Sequence, residues 1–246
     1  FRPDSPGTRG MDCCNSSGPR ALGLAQTFLG TVEAEGLRIH TFAPAQWRVT
    51  IDGVPVTIVL ESRFPSDGFG TIKIDPERDT EFRLAVRVPR WTPHPRISIG
   101  DEVLPAEPGA YLAVRRTWRR GDIVEFAFPF TPKVHIGSGS NEGRVAVTAG
   151  PLILALDQVD NPAIEDPRQV ALAGLTAEEL AFECQPSQGR HSWPDQVLWA
   201  CNLIDLSATQ GREARFRGLL RPFFDAGSWD ATPYAVWLNA PDAAAR

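Results

Sequence analysis

The sequence contains no run of about 18 apolar residues, the length a helix needs to cross a bilayer, so no membrane-spanning helix is expected. Lysine is almost missing: Lys73 and Lys133 are the only two, and arginine supplies the rest of the basic side. The basic residues form no blocks and the net charge is −5, which argues against a nucleic-acid binder. Four cysteines in 246 residues are too few for a disulfide scaffold. They form no Cys-x-x-Cys, and no His-x-x-x-His accompanies them. The chain opens FRPDSPGTRG, its only methionine is Met11, and no basic stretch leads into an apolar one. A signal peptide is therefore not expected; a processed protein or the tail of a longer one is.

What is present is turn-rich and half-apolar. Hydrophobic residues make up 42%, with 21 glycines and 22 prolines, a balance that suits β structure better than a helical bundle or disorder. The length is enough to bury a core in one or two domains. A single helix is expected near the start, over about Pro19 to Leu29. Ser16 or Ser17 can cap it, Pro19 suits its first position, Leu22, Ala25, Phe28 and Leu29 follow at helical spacing, and Gly30 can stop it.

From Leu37 the period becomes two. Strands are expected over Leu37–Phe42, Trp47–Ile51, Val56–Glu61, Phe69–Ile74, Glu81–Val88, Arg96–Ile99, Ala110–Arg116 and Asp122–Phe128. The clearest is Glu81–Val88, where Phe82, Leu84, Val86 and Val88 alternate with Glu81, Arg83 and Arg87, giving one buried and one wet face. Turn signals such as Asp52-Gly53, Gly100-Asp101 and Gly121-Asp122 recur roughly every 8–12 residues, the spacing of a β-sandwich or barrel. Arg144–Leu156 reads as two strand segments bent at Gly150-Pro151, after the flexible-looking Gly137–Gly143. Beyond Asp157 come a capped helical turn at Thr176 and strands over Val197–Leu206, Ala214–Leu220 and Tyr234–Leu238. A boundary at Asp157–Pro167 is one reading; completion of the same sandwich is the other.

Chemistry centres on Cys13 and Cys14. Neighbouring thiolates just before a helix are arranged to share a zinc ion, and the positive helix end favours the ionised, nucleophilic form. Two buried small hydrophobes fit the dipeptide as well, because zinc needs two further ligands. Cys184 and Cys201 lie in β regions and read as core residues, with a cross-strand pair as the alternative. His40, His94, His135 and His191 are scattered and read as satisfied or exposed. The carboxylate pairs Glu33/Glu35, Glu61/Asp67 and Asp157/Asp160 could serve hydrolysis, but each fits solvated surface better. The seven tryptophans, Trp91 and Trp118 among them, suit core anchoring at strand ends more than sugar stacking.

The segment MDCCNSSGPRAL (Met11–Leu22), together with the β-rich chain after it, resembles the β-L-arabinofuranosidase family of glycoside hydrolases, family 127 and its relatives. The similarity continues in family order through FRLAVRVPRW (Phe82–Trp91), GAYLAVRRTWRRGDIVEFAFPF (Gly109–Phe130) and RVAVTAGPLILALD (Arg144–Asp157). A looser echo closes it in LRPFFDAGSWDATPYAVWL (Leu220–Leu238). The resemblance implies an N-terminal (α/α) barrel carrying the active site, then β-sandwich domains. It also implies retaining hydrolysis by a zinc-bound cysteine with a glutamate as acid/base. Carried over, Cys13 is the nucleophile and a zinc ligand, and Cys14 is a second ligand. This chain has Asn15-Ser16-Ser17-Gly18-Pro19-Arg20 after the cysteines where studied members have a Pro-Pro-Asn type run, which sets it on a divergent branch.

The remaining zinc ligands and the acid/base belong upstream, and the twelve residues before Cys13 hold neither Glu nor Cys. The expectation is a mainly β chain, the C-terminal part of such a hydrolase. Residues 1–30 are then a barrel remnant, 31–157 a β-sandwich, and 158–246 a further β region. Zinc and an arabinose-containing glycan belong to the parent protein, while this chain alone is expected to be inactive and to bind no zinc tightly. The need for reduced thiols favours cytoplasm over export. The alternative is a stand-alone carbohydrate-binding or structural sandwich with a vestigial Cys-Cys.

Overall fold

The computed structural model describes residues 12–187, 196–207, 214–228 and 231–241, the side chains of 12–16 and 214 aside. It is mostly strand. The first helix, α1, runs Asp12–Ala25 and passes into a 3₁₀ turn at Gln26–Phe28. It starts seven residues before the expected Pro19, so Ser16 and Ser17 lie inside it and do not cap it. Pro19, expected first, is interior, where its missing N–H removes one intrahelical hydrogen bond. Gly30 does not stop the helix but opens the first strand. Among the described residues no helix is long and apolar enough to cross a membrane.

Two compact units follow. The first comprises residues 1–62, 70–90 and 95–126. Its strands are β1 (Gly30–Glu33), β2 (Gly36–Ile39), β3 (Ala45–Ile51), β4 (Val54–Ser62), β5 (Phe69–Pro76), β6 (Thr80–Arg87), β7 (Arg96–Ile99), β8 (Glu102–Leu104), β9 (Tyr111–Trp118) and β10 (Asp122–Ala127). They form a four-stranded sheet, β1-β2-β6-β9, and a six-stranded one, β3-β4-β5-β10-β7-β8, in a sandwich. The alternation in β6 does what it predicts: Phe82, Leu84, Val86 and Val88 are buried, while Glu81 and Arg87 are exposed.

Turn chemistry sets the register. Asp52 and Gly53 both have positive φ and join β3 to β4 as a two-residue hairpin with Ile51 opposite Val54. Gly36, at φ 149°, lies so close to β6 that a Cβ there would stand 1.9 Å from the Arg83 carbonyl oxygen. Only glycine lets the parallel β2–β6 pair form at this point. Trp118 is wholly buried at the end of β9, its indole N–H donating to the Phe82 carbonyl at 3.0 Å.

The second unit comprises residues 63–69, 91–94 and 127–246. Its strands are β11 (Pro132–Ile136), β12 (Arg144–Ala149), β13 (Leu152–Asp157), β14 (Val170–Leu172), β15 (Glu183–Pro186), β16 (Val197–Asp205), β17 (Ala214–Pro222), β18 (Tyr234–Ala235) and β19 (Leu238–Asn239). Pairing runs from β12 through β19, β14, β16, β17 and β13, and β13 pairs back to β12, so the sheet closes on itself. Val147, Leu154, Leu172, Trp199, Leu203 and Leu220 are among its core. The strands on both sides of Asp157–Pro167 share this one sheet, and the compact units divide earlier, after Phe126. Gly137–Gly143, flexible-looking in sequence, is the closed end of the β11–β12 hairpin, with the Gly137 N–H on the Arg144 carbonyl. The helical turn α2 (Ala177–Leu180) has the capping box its sequence announces: Thr176 Oγ1 accepts from the Glu179 N–H, and the Glu179 carboxylate accepts from the Thr176 N–H.

Candidate functional site

Cys13 and Cys14 are the second and third residues of α1, in its first turn and not just before it. Residues 17–28 of this segment are exposed, including Leu22 at 79% and Phe28 at 65%.

A tetrahedral site takes four ligands, and among the described residues no group of three or more His, Cys, Asp or Glu could hold a metal ion.

Cys184 and Cys201 are free and do not pair. Cys184 lies opposite Trp199 and Cys201 opposite Gly218. Cys201 is the expected core residue, fully buried, and desolvation pushes its thiol up to about 12 against a small lowering by Arg217. Such a thiol is not a nucleophile at neutral pH. Cys184 departs from expectation: it is exposed.

The histidines fall as the sequence suggests. His40 bonds Thr31 at 2.8 Å and Tyr111 at 2.7 Å, His135 bonds Thr148 at 2.9 Å, and His94 is exposed. His191 lies outside the described residues.

Glu33 and Glu35 are spent on arginines: Glu33 pairs with Arg38 at 2.7 Å and Arg83 at 3.2 Å, and Glu35 with Arg115 at 3.2 Å. Glu61 is exposed, and Asp67 pairs with Arg63. The surface reading of Asp157 and Asp160 is overturned. Asp157 is wholly buried, and Arg221, 4% exposed, lies 2.6 Å from Asp160, 4.0 Å from Asp157 and 3.6 Å from Asp225. Burial opposes the guanidinium charge, but the hydrogen bonds that Arg221 donates to Asp160 and the charges of all three aspartates outweigh it and hold Arg221 above its ordinary value.

Asp157 also accepts from the Val159 N–H (3.0 Å), the Gly227 N–H (2.8 Å) and the Thr232 hydroxyl (2.6 Å). Its lone pairs are committed to the fold, so this pair offers no acid/base to a substrate. Sequence reasoning missed Arg221, Asp225 and Gln196. The available signal was an arginine inside the apolar run LLRP and an aspartate closing LILALD.

The fold so defined is that of the β-domain portion of glycoside hydrolases. A glycoside hydrolase structure aligns at TM-score 0.80 and 17% identity, covering 98% of this chain and 43% of its own. A GH127 β-L-arabinofuranosidase from Geobacillus stearothermophilus T6 aligns at TM-score 0.74 and 23% identity over 93% of this chain and 37% of its own. A GH127 β-arabinofuranosidase aligns at 0.78 and 17% over 94% and 39%. The chain thus spans about two fifths of the length of these structures. No curated protein matches it. Residues 36–130 match the family model for the β-L-arabinofuranosidase GH127 middle domain, from the start of β2 to just past β10. That stretch is similar to a GH127 middle domain, and the resemblance to the β-L-arabinofuranosidase family read from the sequence holds.

Proposed function

We propose that the chain is the C-terminal part of a retaining hydrolase of β-linked L-arabinofuranosyl groups, with Cys13 as its nucleophile. One observation carries the reading: two adjacent cysteines in the first turn of α1 stand directly upstream of a match to the GH127 middle domain that begins at residue 36. In the reaction the Cys13 sulfur bonds the anomeric carbon as the glycosidic C–O bond breaks, and the leaving oxygen takes a proton from a general acid. Water then cleaves the thioglycoside and restores the thiol, so configuration is retained over two displacements. The general acid is a glutamate, as the family resemblance implies. Zinc is part of the whole-enzyme reading, with Cys13 and Cys14 as two of its ligands and the others outside the described residues; when bound it would keep thiolates ionised. The substrate class is an arabinose-containing glycan.

The test is hydrolysis of an aryl β-L-arabinofuranoside. The chain alone should show none, and the longer protein should lose its rate by about 10³-fold or more on Cys13→Ala, as expected for loss of a nucleophile. Full activity in the Cys13→Ala protein would overturn the assignment, as would a Cys13-dependent rate from the chain alone.

A further inference from the structure

Within the second unit an open cleft with about 630 Å³ of free space, part of it continuous with solvent, lies between Ala173, Asn202, Arg215, Phe216 and Arg217. Strand register brings its polar side chains together. Arg217 stands opposite Asn202 across the β16–β17 pair, and the Ala173 N–H donates to the Asn202 carbonyl at 3.1 Å. Arg215 is two residues from Arg217 and shares its face of β17. Ala173 carries only a methyl group beside these longer side chains, which leaves the space open.

The two arginines are held differently. Arg217 Nη1 donates to the Leu180 carbonyl and to Asn202 Oδ1, both at 3.3 Å, and its Nη2 donates to Glu183 Oε2 at 3.4 Å. Asn202 is fixed in turn, because its Nδ2 donates to the Glu179 carbonyl at 3.0 Å. A guanidinium has five N–H donors, so Arg217 is anchored and still has donors to spare, and it is exposed. Arg215 is exposed and makes no ion pair among the described residues. Glu183 is the one carboxylate among them paired with either arginine, which leaves a positive charge uncompensated at the cleft.

Guanidinium groups match carboxylate and phosphate oxygens in both geometry and charge. One exposed arginine holds an anion weakly, but two rooted about 7 Å apart along one strand can share one. Because Arg217 is already held in place, less side-chain freedom is lost on binding. We propose that this cleft binds an oxyanion, a carboxylate or phosphate group, between Arg215 and Arg217.

The experiment is titration of the ¹⁵N-labelled chain with sodium phosphate and, separately, sodium acetate at constant pH and ionic strength, with sodium chloride as control. The arginine Nε–H resonances are followed. Saturable shifts at Arg215 and Arg217 are expected with phosphate, acetate or both, and the anion that acts identifies the group the cleft takes. Arg215→Gln and Arg217→Gln should each weaken binding about tenfold, as expected for loss of a charge-assisted hydrogen bond. Ala173→Leu, which fills the cleft and keeps both charges, should also weaken it about tenfold or more. A response no stronger than that to chloride, shifts that do not saturate, or binding that any one of the three variants leaves unchanged would overturn the proposal. Arg217→Gln also loses the bonds to Leu180 and Glu183; should it fail to fold, Arg215→Gln and Ala173→Leu carry the comparison.

Discussion

In the first unit the charges lie on the outer face of the four-stranded sheet, where Arg115 bridges Glu35 and Glu81 in the open. In the second, Arg221 and three aspartates lie inside. The first arrangement lets an alternating strand keep an unbroken apolar face, and its ion pairs contribute little because water screens them. The second needs every lone pair matched, because an unmatched buried charge is expensive. Asp157 meets that demand with two backbone N–H groups and a hydroxyl, and in doing so ties β13 to the segment around Gly227 and Thr232. Stability in one unit is therefore spread over a packed face, and in the other concentrated at a charged node.

The sharpest way to break this contrast is Arg221→Met. It leaves three buried carboxylates without their cation and should destabilise the second unit by about 3–5 kcal/mol, read by urea denaturation. A loss no larger than that of a surface substitution would dissolve the contrast. Next is Trp118→Phe in the first unit. The ring stays but the bond to the Phe82 carbonyl goes, at an expected cost of about 1–3 kcal/mol.

Thr176→Ala should cost about 1 kcal/mol by removing the cap of α2. That cap also carries a pH signature. Backbone N–H groups of Leu175 and Thr176, with the Thr176 hydroxyl, hold Glu179 below its ordinary value. A lowered carboxylate contributes stability above its unfolded value and loses it as pH falls through the folded one. An acid titration of wild type against Glu179→Ala should therefore show the gap narrowing at low pH; a gap independent of pH would contradict the pairing. The smallest effect is expected from Arg115→Ala, whose exposed bridges should leave the unfolding midpoint unchanged and insensitive to salt. A clear drop there would mean the outer ladder matters as the inner cluster does.

Much of the first unit is legible in the residues because its signals are local. Period-two alternation in Glu81–Val88 and the positive-φ pair Asp52-Gly53 act within a few residues. The capping box at Thr176 is equally local. The start of α1 was not legible: Ser16, Ser17 and Pro19 together imitate a helix beginning, and nothing nearby says that the helix already runs through them. Asp157 and Asp160 were misread for the opposite reason. Their cation, Arg221, is about sixty residues away in the chain, and only the pairing of β13 with β17 brings it under them.

The sequence by itself determined the β class, most strand positions and the resemblance to the β-L-arabinofuranosidase family, because alternation, turn residues and the ordered blocks from Met11 to Leu238 are written along the chain. The site roles of Cys13 and Cys14 come from the family resemblance and not from residue type and spacing. Only the tertiary structure decided which charges are buried, that the second sheet closes through β12 and β13, and that Gln196 is left with an unmatched acceptor. Those outcomes depend on which distant strands meet, and burial alone makes an aspartate or an amide costly enough to constrain its surroundings.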